Sequence, residues 1–79
     1  MNRELSMEEL ENISGGTVRL NTTRMRIGFT ELNQGYDLKN CTDDEAIALV
    51  AQMYAIYKHE GDVALETATL TAFKNNGWI

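Results

Sequence analysis

Two side chains of this sequence could act together in catalysis, Cys41 as a nucleophile and His59 as its base. A thiol becomes an effective nucleophile when a neighbouring imidazole takes its proton and a third group orients that imidazole. The sequence offers no identifiable third group, and a cysteine and a histidine at arbitrary spacing occur together by chance in most small proteins. We therefore predict that the protein is not an enzyme.

A second set of residues carries atoms that could bind a metal ion: His59, Glu60, Asp62 and Glu66. Oxygen-rich sites of this kind suit hard cations such as Ca²⁺. The same residues suit the solvated end of a helix, and we predict that simpler arrangement. Aromatic and methionine side chains at helical spacing are likewise expected to be core residues, so we predict no metal and no cofactor.

The segment before Gly15 has several helix-start signals. Ser6 can cap a helix by accepting a hydrogen bond from the backbone N–H of Glu9, whose carboxylate can reach back to the Ser6 N–H. Leu5 and Leu10 have the spacing of a hydrophobic staple. Gly15 suits the left-handed conformation that ends a helix. Because helices shorter than about 12 to 15 residues are marginal in water, we predict a short N-terminal helix that is disordered in the free chain.

One face of this helix is apolar. At about 100° per residue its apolar side chains form a stripe that could dock in a groove of a partner. The stripe comprises Met7, Leu10 and Ile13, with Leu5 folded toward it by the staple.

The pattern Glu4-Leu5-Ser6, Glu9-Leu10 and Ile13-Ser14-Gly15-Gly16 resembles the double-glycine leader of bacterial bacteriocin-type peptide precursors. In that family the papain-like peptidase domain of a peptidase-containing ABC transporter binds the leader, cuts after the second glycine and exports the remainder. The resemblance covers about a fifth of the chain. It implies docking through the apolar stripe defined above.

The resemblance also implies that Gly15, Gly16 and Thr17 form the cleavage site, with Gly16–Thr17 as the scissile bond. The physical reason for two glycines is access, because a backbone without β-carbons can enter a narrow catalytic channel that any side chain would block. The chain then divides into a leader, residues 1–16, and a cargo, residues 17–79.

The function implied by this resemblance is that of a precursor of a secreted bacteriocin-like or signalling peptide. The chain would be synthesised in the cytoplasm and its cargo secreted, with a target-cell membrane or a receptor as candidate partners after release. The alternative is a small intracellular helical interaction module that is not processed, in which Gly15-Gly16 is an ordinary turn.

Charge and composition exclude several classes of partner, export signal and covalent cross-link. The net charge is -5, and the cargo is mildly acidic, which argues against nucleic acid. The sequence has no apolar run of about 18 residues and no apolar segment of a general secretory signal. The single cysteine, Cys41, excludes an intramolecular disulfide.

The first part of the cargo alternates apolar and polar residues on both sides of Asn21-Thr22-Thr23, which predicts an extended segment or β-hairpin. Arg19, Arg24 and Arg26 would share one face. Two interpretations stay open: a cationic element for an anionic bacterial surface, or the solvated face of a strand pair. Residues 33–40 are predicted to form a loop.

The second part predicts a helical hairpin. Thr42 and Glu45 form a second capping box before a helix from Asp43 to about His59, which Gly61 ends. Asp62 is expected to cap a helix over Val63 to about Lys74, which closes at Asn75-Asn76-Gly77. The predicted core between the helices consists of Leu49, Val50, Met53, Leu65, Ala68, Ala72 and Phe73. The expected fold is therefore small and mainly α, and the placement of Trp78 and Ile79 stays open.

Overall fold

A computed structural model describes residues 17–79 as a three-stranded antiparallel sheet followed by two helices. The strands lie in the order β1-β2-β3. The elements are β1 (Val18–Asn21), β2 (Arg26–Phe29), β3 (Gln34–Asp37), α1 (Asp43–Tyr57) and α2 (Asp62–Asn75). The predicted leader helix, its docking residues and the two glycines lie outside the described residues: Leu5, Met7, Leu10, Ile13, Gly15 and Gly16.

The hairpin of β1 and β2 confirms the alternation in the sequence. Leu20 pairs with Ile27 and Val18 pairs with Phe29, and all four side chains are buried. Because successive side chains of a strand point to opposite faces, this register places one apolar face against the helices. The polar residues of the same strands lie on the outer face.

The third strand was not expected, since residues 33–40 were predicted to form a loop. The Asn33 N–H donates to the Thr30 carbonyl at 3.2 Å, and Asn33 takes a left-handed φ of 56°, so a tight turn returns the chain alongside β2. In β3 only Tyr36 is half-buried. The strand forms because β2 offers a free edge, and a polar edge strand has no apolar alternation to reveal it.

The fold is therefore not clearly mainly α as predicted, because the middle of the chain forms a three-stranded sheet, whereas the predicted β-hairpin and helical hairpin agree with the structure. At the start of α1, Thr42 Oγ1 accepts from the Glu45 N–H at 3.1 Å and Glu45 Oε1 accepts from the Thr42 N–H at 2.9 Å. The predicted capping box is thus confirmed. The helix ends at Tyr57, two residues before the predicted His59.

The start of α2 differs from the prediction. Gly61 occupies the N-cap position with a φ of 100°, and no side chain caps the helix there. Asp62 is the first helical residue instead of the cap, because the sharp turn between the helices needs a φ that glycine tolerates.

The helix α2 ends where the sequence predicts, and the hydrogen bonds at its end fix the position of Trp78. The Trp78 N–H donates to the Phe73 carbonyl and the Gly77 N–H to the Lys74 carbonyl, both at 3.0 Å, with Gly77 at a φ of 76°. This is a Schellman motif, which turns the chain back over the helix. The Trp78 ring then meets the Phe73 ring edge-on, with centroids 5.6 Å apart.

The core lies between the helices and the sheet as well as between the two helices. Of the predicted helical core, Val50, Leu65 and Phe73 are buried. The remaining four residues are only half-buried: Leu49, Met53, Ala68 and Ala72. The buried apolar residues are Val18, Leu20, Ile27, Phe29, Leu38, Ala46, Val50, Leu65 and Phe73.

Candidate functional site

The side chain of Glu66 lies at the centre of the most unusual polar cluster in residues 17–79. It is fully buried, with 0% of its surface exposed. Its carboxylate accepts hydrogen bonds from the hydroxyl of Thr17 and from the backbone N–H groups of Glu31 and Leu32, each of the latter at 2.9 Å. A buried carboxylate is costly unless it is hydrogen-bonded, and here three donors converge on it.

The helix α2 carries Glu66 to this position on its buried face. Thr69 and Phe73 follow three and seven residues later and are also fully buried, so the glutamate belongs to the stripe that faces the core. The turn after β2 presents the backbone N–H groups of Glu31 and Leu32 to the carboxylate. One side chain therefore joins α2, the β2–β3 turn and the residue before β1.

Thr17 is the residue that follows the predicted scissile bond, and it is part of the fold. Only 4% of its surface is exposed. Its carbonyl accepts from the Thr30 N–H at 3.0 Å, and its hydroxyl donates to Glu66. The next residue, Val18, is fully buried. The cargo side of the predicted cleavage site is thus held by the backbone of Thr30, which directly follows β2, by the Glu66 carboxylate of α2 and by the core.

The sequence grouped Glu66 with His59, Glu60 and Asp62 as possible metal ligands, and the structure separates them. His59, Glu60 and Asp62 are exposed at the connection between the helices, whereas Glu66 is bonded to donors inside the fold. Within the described range 17–79, no three His, Cys, Asp or Glu side chains come together as a metal site. A charged residue within the apolar stripe of Leu65, Thr69 and Phe73 was the signal that could have identified Glu66 as buried.

Cys41 and His59 lie at opposite ends of α1, since Cys41 precedes Asp43 and His59 follows Tyr57. At 1.5 Å per residue this helix of 15 residues is about 22 Å long. Burial, followed by the charge of Glu45, raises the pKa of the Cys41 thiol. The arrangement offers no base for the thiol and lowers the fraction of reactive thiolate.

The outer face of the sheet carries Arg19 and Arg26 but not Arg24, which lies in the turn between β1 and β2. Arg26 forms an exposed ion pair with Asp37 across β2 and β3, at 2.9 Å. This partner offsets one of the three cations in the proposed cationic face. The geometry therefore favours the solvated strand face over the membrane-binding element.

Among residues 17–79, no helix has both the length and the apolar character to cross a membrane. Comparison of the chain with family models, with curated proteins and with solved structures found no match.

Proposed function

We propose that the chain is the precursor of a secreted bacteriocin-like or signalling peptide. Residues 1–16 serve as a double-glycine leader, the papain-like peptidase domain of an ABC transporter cleaves after Gly16, and residues 17–79 are exported as the cargo. After release the cargo acts on a target-cell membrane or a receptor.

The observation that best supports this proposal is the position at which the described fold begins. The sheet starts at Val18, directly after the predicted cleavage site. Within the described residues, Val18 is also part of the buried apolar cluster that joins the sheet to both helices. No buried side-chain nitrogen or oxygen of the described part lacks a hydrogen-bond partner. The predicted boundary between leader and cargo therefore coincides with the start of β1, which is the arrangement expected if residues 17–79 are released as one unit.

The sequence of the leader indicates which of its side chains contribute most to binding the peptidase domain. Burying a leucine or isoleucine side chain contributes roughly 1.5 to 3 kcal/mol, whereas an exposed ion pair contributes about 0 to 1 kcal/mol. Docking of the leader should therefore depend on Leu5, Leu10 and Ile13 more than on its glutamates. In a titration of the peptidase domain with the full chain, Leu10→Ala should weaken binding far more than Glu11→Ala.

Mass spectrometry tests the proposal directly. Bacterial cells that express the chain together with a peptidase-containing ABC transporter should release a species that starts at Thr17. The variant Gly16→Val should abolish this species, because a branched side chain blocks the catalytic channel but not the docking groove, and Glu11→Gln should not. An uncut chain that stays in the cells, for the wild type as well, would favour the unprocessed interaction module and reject the proposal.

A further inference from the structure

The first residue of the cargo is buried, although the proposed cleavage takes place at its N-terminal peptide bond. We infer that the folded cargo protects the Gly16–Thr17 bond from the peptidase, and that Glu66 is the latch that keeps it protected. This inference rests on the proposed function and adds the form of the substrate: the peptidase takes chains in which β1 is detached or the cargo is not yet folded.

A peptidase must accommodate the residues on both sides of the bond that it cuts. A narrow channel that selects two glycines must also admit the backbone of the residue after the cut. Thr17 is 4% exposed, and its carbonyl already accepts from Thr30 at 3.0 Å. Val18 and Leu20 are fully buried and paired with β2. Thr17 can enter an enzyme only if the start of β1 leaves the sheet and the core.

Glu66 is the latch because its side chain holds the residue before β1 against the folded domain. Its carboxylate binds the Thr17 hydroxyl from a position 49 residues along the chain. The same carboxylate holds the backbone of Glu31 and Leu32, so its loss weakens both the residue before β1 and the turn that supports it. Since Glu66 is far in sequence from the segment that the peptidase would contact, any effect of its replacement on cleavage must pass through the fold.

The rate of cleavage depends on how often the start of β1 opens. When opening and reclosing are fast compared with cutting, proteolysis follows the equilibrium population of the open form. Local opening costs much less free energy than global unfolding in segments with few contacts, and its cost approaches that of global unfolding in segments tied to the core. The Thr17–Glu66 contact ties the start of β1 to the core, so it raises the free energy needed to open this segment. Cleavage is therefore fastest before the cargo folds, which orders processing ahead of folding.

The experiment compares purified full chains as substrates of a peptidase domain that cleaves double-glycine leaders. Glu66→Ala should be cut at Gly16–Thr17 at least about tenfold faster than the wild type, because a lost charged hydrogen-bond partner raises the open population by that order. Glu66→Gln, which keeps one acceptor oxygen, should be intermediate. Glu60→Ala, the same change at an exposed glutamate, should match the wild type, and Phe73→Ala should give the rate of an unfolded cargo.

Trypsin provides a second readout that does not depend on leader recognition. Arg19 lies within β1, so trypsin can cut after it only when the same part of the strand opens. The rate of this cut should therefore rank the variants in the same order as the rate of cleavage at Gly16–Thr17. Mass spectrometry separates this cut from those at Arg24 and Arg26.

The outcomes distinguish the inference from the proposed function. Equal cutting of the wild type and Phe73→Ala at Gly16–Thr17 would overturn the protection by the fold and leave the precursor function standing. Fast cutting of Phe73→Ala with no effect of Glu66→Ala would overturn the role of Glu66 as the latch. Absence of this cut in every variant, Phe73→Ala included, would overturn the proposed function and the inference with it.

Discussion

Two threonine–glutamate pairs stabilise the fold of residues 17–79 in different ways. Thr42 and Glu45 are three residues apart, exposed, and begin α1. Thr17 and Glu66 are 49 residues apart, buried, and join the start of the sheet to α2. A glutamate carboxylate accepts in both pairs, from the Thr42 backbone N–H in the first and from the Thr17 hydroxyl in the second. The first pair shapes one helix end, whereas the second connects three parts of the fold.

The difference shows how burial and sequence separation change what a hydrogen bond contributes. An exposed cap competes with water, and its loss costs roughly 0.5 to 2 kcal/mol. A buried carboxylate that serves several donors leaves each of them without a partner when it is removed, at about 1 to 3 kcal/mol for each group. The buried pair should therefore dominate the stability of the domain although both pairs look alike in the sequence.

The largest expected effect is that of Glu66→Ala. The change leaves the Thr17 hydroxyl and the two backbone N–H groups without their acceptor, so the free energy of unfolding should fall by about 3 kcal/mol or more. Urea denaturation followed by Trp78 fluorescence measures it, since that ring packs on Phe73 in the core. Glu60→Ala serves as the control and should change little. A loss of only about 1 kcal/mol would place the buried pair level with an ordinary cap.

Removal of the threonine partner should have a smaller effect than removal of the carboxylate. Thr17→Val keeps the shape of the side chain and deletes one donor, while the backbone N–H groups of Glu31 and Leu32 still bind Glu66. We expect a loss of roughly 1.5 to 3 kcal/mol, the range for a hydrogen bond to a charged group. The double variant Thr17→Val with Glu66→Ala should lose less than the sum of the single changes. Full additivity would mean that the two residues act independently.

The exposed pair gives the third effect in order of size. Thr42→Ala removes the cap of α1 and should lower the free energy of unfolding by about 1 kcal/mol. Thr67→Ala is the matched control, because Thr67 is exposed within α2 and alanine has the higher helix propensity there. The same denaturation assay should show a neutral or slightly stabilising result for the control. Equal losses at both sites would show that the capping bonds contribute nothing beyond propensity.

The same contrast explains which parts of the fold could be predicted from the sequence. The cap at Thr42, the turn at Gly77 and the alternation of β1 and β2 are encoded within a few neighbouring residues. Those features were correctly predicted because each satisfies its hydrogen bonds or its apolar pattern locally.

The rest of the fold depends on partners that are distant in the sequence. β3 is a strand because β2 lies beside it, and its residues Gln34–Asp37 carry no apolar alternation of their own. Glu66 is buried because the turn after β2 and Thr17 offer three donors, although an isolated glutamate on a helix is normally exposed. The two glycines predict a boundary directly before Thr17, but the burial of Thr17 could not be predicted from that motif.

The smallest effect concerns the second role of Glu45, which acts on Cys41 as well as on the helix start. Burial and then the Glu45 carboxylate raise the pKa of the Cys41 thiol above its ordinary value, so alkylation by iodoacetamide should reach half its maximal rate at a higher pH than for an unstructured thiol. Glu45→Gln should move this midpoint to lower pH by removing the charge, while the glutamine still completes the capping box. Glu60→Gln should leave the midpoint unchanged. If the Glu45 change had no effect on the midpoint, the exposed carboxylate would be too well screened by water to influence its neighbour, and the contrast with the buried Glu66 would be sharper still.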